Sequence, residues 1–287
     1  MHNRHKGNLS LLAVGALFGI SAVLAKYFAA YIDPYQVVMY RFAIALLCLA
    51  LLTALFRYQL SLPRAEYARV GYFTVAFAVS VLFFTLAIFN TSVSLAVFSF
   101  YAATLISSYW IGYYLFSEGL NRYKQIALGL TFLALILFTK PFSDFSLELG
   151  FVFGLLAGVL QAVTSMYQKQ LSQTCSRVSL LFAQTIGGTV LAAAAVVYFG
   201  GSLLVSLPTL PLVFLIFFGV AFLLISYLFL VGFKYANLNT GSVLISTELL
   251  FAPAFAFLLL AEVPSREVFF GGVVMIASLY FIYRADA

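Results

Sequence analysis

Glu248 is the residue around which any chemistry of this chain has to be arranged. It stands in "VLISTELLFAPAFAFLLLAE" (residues 243–262), an apolar run long enough to cross a bilayer, with Pro253 five residues further on. A carboxylate at that depth in hydrocarbon is costly, so it requires a partner, a proton or a ligand. Along a continuous helix it lies about 12 Å from one end, near the midplane. Proline has no N–H, so the carbonyl of Leu249 loses its helical partner beside the carboxylate. An ionisable group next to an interrupted hydrogen-bond ladder is the local pattern of a solute or ion site within a membrane.

A second charge, Arg41, lies roughly 10 Å into another apolar run. Three roles are open to it: pairing with Glu248, bonding to carbonyls of a neighbouring helix, or facing a substrate carboxylate. Uncharged polar residues add faces to this inventory. Tyr101, Thr104 and Ser108 are spaced i, i+3, i+7, one stripe of a helix, and Ile245, Glu248 and Ala252 repeat that stripe 144 residues later. Gln161, Thr164, Ser165 and Gln168 form another polar face, and Gly15, Gly19 and Ala22 a small-residue stripe ending at Lys26. Ser80, Thr85, Ser226 and Tyr227 are further candidates. Each Ser or Thr can instead bond its own helix or tie two helices together. Trp110 suits an interfacial anchor as well as a cavity wall, and the 32 phenylalanines read mostly as lipid-facing or core bulk.

The sequence offers little to an enzyme. Both histidines, His2 and His5, sit in the N-terminal tail; no acidic cluster exists; Cys48 and Cys175 have no metal or disulfide spacing. No phosphate-binding loop is present, so ATP is not expected to act directly, and neither cofactor nor metal is expected.

The elements that must position these residues follow from composition. The chain is 64% hydrophobic and 8% charged, where soluble domains are roughly half apolar and about a quarter charged. A polytopic membrane protein is the expectation, with the lipid bilayer as its medium. About 20 apolar residues span a bilayer, and such runs fall near 9–28, 34–56, 70–89, 92–115, 123–139, 149–169, 178–198, 211–233, 240–261 and 267–283. The first, although preceded by the basic "MHNRHKGN", exceeds the length of a signal-peptide core and is expected to be retained. With the N-terminus inside, eleven Lys and Arg residues fall in cytoplasmic segments, against Lys26, Lys140 and Arg266 outside. That asymmetry puts both termini in the cytoplasm. It also accounts for the net charge of +6 without nucleic acid.

The loops "LFSEGLNRYKQIALG" and "LLAEVPSREVFFGG" both carry Glu-x-x-x-Arg. Glu118 and Glu262 are 144 residues apart (262 − 118), half the chain, and Arg122/Arg266, Leu105/Leu249 and Leu115/Leu259 keep the interval. Five spans per half is odd, so the second half must enter the membrane inverted. Glu118 and Glu262 then lie on opposite sides, where each is expected to cap a helix start and pair with Arg122 or Arg266. Inverted repeats around a midplane site are a device of secondary transporters.

These residues resemble the drug/metabolite transporter superfamily of the EamA type. The resemblance rests on a lone glutamate after the fourth helix of each half, "LFG" at 17–19, "YRF" at 40–42, "GFKYANLNTGSVL" at 232–244 and "FAPAFAFLLLAE" at 251–262. It departs where Tyr109 takes the place of the first half's proline and Ser117 that of a glycine. The resemblance implies an all-α membrane protein of ten transmembrane helices, as two inverted five-helix repeats (1–143 and 144–287), in a bacterial inner membrane. It further implies a cavity lined by helices 1, 3, 4, 6, 8 and 9. Export of amino acids or related metabolites is the expected activity, with substrate held by Glu248, Tyr101, Thr104, Ser108, Gln161, Thr164, Tyr227 and Trp110. Glu248 is the expected proton carrier. A proton-coupled carrier of cationic compounds is the alternative, and a membrane-embedded receptor or scaffold the alternative from another class.

Overall fold

Every long apolar run in the computed structural model, which describes residues 2–58, 60–139, 149–260 and 265–286, forms an α-helix. The helices are α1 (His2–Phe28), α2 (Pro34–Phe56), α3 (Tyr67–Asn90), α4 (Val93–Phe116), α5 (Arg122–Thr139) and α6 (Leu149–Thr174). They continue as α7 (Arg177–Tyr198), α8 (Thr209–Tyr235), α9 (Leu238–Ile245), α10 (Glu248–Leu260) and α11 (Arg266–Asp286). There is no strand among the described residues. Eight helical runs are long and apolar enough to cross a membrane: α2 to α8, with the turn Arg64–Glu66 joined to α3, and α11. The two remaining expected spans correspond to α1 and to a run that is divided.

Local sequence sets the helix ends. Asp33 caps α2: its Oδ1 accepts from the Gln36 amide at 2.8 Å while Gln36 Oε1 accepts from the Asp33 amide at 3.2 Å, and Pro34 fills the first turn where no N–H is needed. The Ser92 and Ser176 hydroxyls cap α4 and α7 by accepting from the Leu95 and Ser179 amides.

The expected ninth helix, continuous through 240–261, is corrected to two helices. The division falls at Ser246 and Thr247, and α10 runs through Pro253. The Ser246 and Thr247 hydroxyls donate to the carbonyls of Val243 and Leu244 at 2.8 and 2.6 Å. The backbone tightens to i→i+3 bonds from Thr247 to Leu244 and from Leu249 to Ser246, at 3.3 and 3.0 Å. Adjacent hydroxyls that bond back to the main chain compete with helical pairing, and a tightened turn inside a helix marks a joint. Glu248 is the first residue of α10.

Packing couples the two halves more than it binds each to itself. Helix α1 lies on α8, α9 and α10, and α6 lies correspondingly on α3 and α4; α2 faces α7, and α5 faces α11. Small residues allow this approach, because helices in lipid associate through close backbone packing. A Cβ at Gly15 would come within 3.0 Å of the Ile245 carbonyl oxygen, and one at Gly158 within 3.0 Å of the Thr104 amide. The facing pairs run antiparallel. In α5 and α11, Thr131 bonds Ser278 while Asn121, earlier, bonds the later Ala285. In α2 and α7, Tyr35 stacks on Phe199 while Phe42 meets Gly188. In α4 and the α9–α10 pair, Tyr101 reaches Glu248 while Gly112 meets Asn239.

Candidate functional site

Helices α1, α2, α3, α4, α6, α8 and α10 enclose a cavity of about 60 Å³, measured as the space open to the centre of a water-sized sphere. A water needs about 10–15 Å³ on that measure, so the volume admits a few waters in this conformation. The walls are mainly aromatic, with Phe18, Phe77, Phe84, Phe100, Phe222 and Phe229 contributing.

Its polar lining is sparse. Ser21, Ser80 and Thr85 border it, but their hydroxyls donate to the carbonyls of Leu17, Ala157 and Val81 at 2.9 Å each. Glu248, Arg41 and Gln161 are the groups whose chemistry remains. Glu248 is 4% exposed, and the hydroxyl of Tyr101, a fully buried residue of α4, donates to its carboxylate. Arg41 is 9% exposed and its guanidinium stacks between Phe218 and Phe222, 4.9 and 4.7 Å from the ring centroids. Aromatic faces attract a cation without neutralising it. Arg41 Nε has no protein hydrogen-bond partner, and no ion pair joins Arg41 to Glu248 among the described residues. Opposite charges therefore border one cavity without being paired. Among the described residues the Gln161 amide makes only a long 3.5 Å contact to Ser165 Oγ, which leaves its donors available.

The remaining candidates lie elsewhere. Thr104 donates to the carbonyls of Phe100 and Gly158, at 2.7 and 3.2 Å, and so ties α4 to α6. Ser108 and Thr164 are buried outside the cavity lining, and Thr164 Oγ1 has no partner among the described residues. Trp110 lies outside the cavity, 61% exposed and stacked on Tyr114. Nine residues at about 100° each turn it half a revolution from Tyr101. Tyr227, 40% exposed, borders a separate groove.

Glu118 does not serve the helix that follows it in sequence, as was expected. One carboxylate oxygen accepts from Lys169 Nζ at 2.6 Å and from the Leu238 amide at 2.8 Å, and the other accepts from the Asn239 amide at 3.1 Å. It thus caps the start of α9 and binds α6, although it belongs to the α4–α5 loop. The αL conformation of Ser117 (φ 50) turns the chain so that it can do so. Glu262, its expected counterpart, lies outside the described residues.

Apolar helices wrapped around enclosed charges define an integral membrane protein. The EamA-like transporter family model matches residues 5–140 and again residues 148–284, so the chain belongs to that family, whose pattern occurs twice along it. Membership makes it a membrane transporter of small solutes. A solved crystal structure superposes with a TM-score of 0.84 over 98% of each chain at 12% identity, a likeness of fold. No curated protein matches the sequence.

Sequence reasoning missed the aromatic wall, because a phenylalanine facing lipid and one facing a cavity look alike in an apolar helix. The pair around Arg41 had a signal: Phe218 and Phe222 are four residues apart, on one face of α8.

Proposed function

We propose that this protein exports small zwitterionic metabolites, amino acids or close relatives, by alternating access. In this reading ten spans form two inverted five-helix halves, residues 1–143 and 144–287, in a bacterial inner membrane with both termini in the cytoplasm. The antiparallel course of α2 with α7, of α4 with α9–α10 and of α5 with α11 supports inversion, because each pairs with its counterpart in the other half. The eleven-to-three bias of Lys and Arg supports the orientation.

The observation that carries the substrate class is one cavity bordered by Glu248 and Arg41, with no ion pair between them. An ammonium suits the carboxylate and a carboxylate suits the guanidinium, so a molecule bearing both engages both without leaving a buried charge uncompensated. Arg41 weighs against a simple organic cation. Glu248 also takes a proton in one stage of the cycle, which couples export to the proton gradient, and Tyr101 holds it in position. The small volume corresponds to a closed state that must open to load.

Thermal unfolding of the purified protein against matched ligands tests this. A ligand that binds only the folded state stabilises it, by about 2.7 kcal/mol at a hundredfold excess over Kd. A neutral amino acid should stabilise more than its decarboxylated amine or its deaminated acid, and should exchange across proteoliposomes. Equal stabilisation by the amine alone would make the protein a cation carrier, and no response from any of the three would remove the reading.

A further inference from the structure

On the opposite face of α8 from the cavity, and further along α2, lies a second, larger recess of about 720 Å³, open on the outer surface. Its two ends differ in chemistry. At one end are Arg177, the first residue of α7, and Lys234, near the last turn of α8, with Tyr58 beside them. Towards the other end the lining is aliphatic, with Leu49 and Leu52 from α2 and Val220, Leu223 and Leu224 from α8. Leu52, Val220, Leu224 and Tyr227 are 40–47% exposed, on apolar helices whose outer faces meet lipid.

The dimensions match one leaflet. From Lys234 back to Val220 is fourteen residues of α8, or about 21 Å along the axis. Half the hydrocarbon core is about 15 Å, and the headgroup layer adds several more. A molecule filling the recess therefore has a long apolar part and one polar end. The polar end meets two cations and no carboxylate among the lining residues. Arg177 is only partly buried and borders the recess, so its guanidinium charge acts on whatever occupies that end. The positive end of α7 adds to the same field.

We propose that this recess is a binding site for an anionic phospholipid, whose phosphate lies between Arg177 and Lys234 and one of whose acyl chains lies along α8 and α2. Lys234 stretches its apolar stem along the wall and carries its ammonium to the headgroup. The lipid covers the α2–α8 seam from outside, against the face of α8 opposite the one that carries Phe218 and Phe222. The site is independent of the substrate reading, because nothing in it faces Glu248.

Native mass spectrometry of the detergent-purified protein tests it, titrated with phosphatidylglycerol, with phosphatidylcholine of the same chains, and with inorganic phosphate. Phosphatidylglycerol should be retained at least tenfold more tightly than phosphatidylcholine, and phosphate should not displace it. A basic residue near an anionic membrane surface contributes about 1 kcal/mol, or about fivefold in affinity. Arg177→Gln and Lys234→Gln should therefore each weaken retention about fivefold, while Arg64→Gln on the exposed loop leaves it unchanged. Leu224→Trp, which fills the apolar end, should weaken it with both charges intact. Equal retention of the two lipids in the unaltered protein overturns the proposal without any variant. So does full retention in Arg177→Gln and Lys234→Gln, and displacement by phosphate alone would make this a free-anion site.

Discussion

Replacing Glu118 by glutamine tests how strongly the two halves are held together away from the cavity. The carboxylate is buried, with side-chain exposure of 4% against 19% for Lys169, and it accepts three hydrogen bonds at 2.6, 2.8 and 3.1 Å. Breaking a buried ion pair by removing one partner costs roughly 3–5 kcal/mol. Lys169 is partly accessible and can carry its ammonium outward, which reduces that term to about 2 kcal/mol. A weaker cap on α9 adds about 1 kcal/mol. The expected loss is thus about 3 kcal/mol, or about 6 °C in Tm at roughly 2 °C per kcal/mol for a chain of this size. Thermal unfolding of the purified variant reads it. Lys169→Met should cost at least as much, because it leaves the less accessible carboxylate without its partner even though the α9 amides remain, and the double variant should be non-additive by at least about 1 kcal/mol. A Tm within about 1 °C of the unaltered protein, or strict additivity, would refute the account of this contact.

Three further outcomes are expected. Single cysteines at Ser117 and Ser265 should label from opposite sides of the membrane; labelling of both from outside would end the inverted arrangement. Thr104→Val should lower stability by about 1 kcal/mol, through loss of the α4–α6 bond, while solute exchange survives; unchanged stability with altered exchange would return Thr104 to the substrate site. Glu248→Gln keeps shape and hydrogen bonding but fixes the neutral state, so pH-gradient-driven accumulation in proteoliposomes should disappear while the protein stays folded. Wild-type, pH-dependent accumulation by that variant would leave the glutamate without a role in coupling.

Much of the fold was legible because apolar runs are local signals. The run 34–56 matches α2 at both ends. The division of α9 from α10 was not foreseen because Pro253 is the louder signal. A proline in an apolar helix can be absorbed by its surroundings, whereas the quieter Ser246–Thr247 pair bonds its own backbone and opens the joint. At the cavity, Glu248 and Tyr101 were readable from charge and helical spacing, yet their bond joins residues 147 apart in sequence. Trp110 was misjudged because residue type alone does not say which side of α4 it occupies. Glu118 was read as serving its nearest helix, since only the folded chain brings Leu238 and Asn239 to it.

The joint before Glu248 belongs to one half alone, for α4, the corresponding helix of the first half, runs unbroken from Val93 to Phe116. In a carrier whose halves exchange roles, one opening step then bends a jointed rod and the other swings a stiff one. Thermodynamics constrains only the product of rate constants around the closed cycle, so the two barriers need not be equal. The solute would meet different half-saturation concentrations on the two faces of the membrane, and the slower face would set the turnover. Such a molecule favours one direction in rate while its final gradient still follows the driving force.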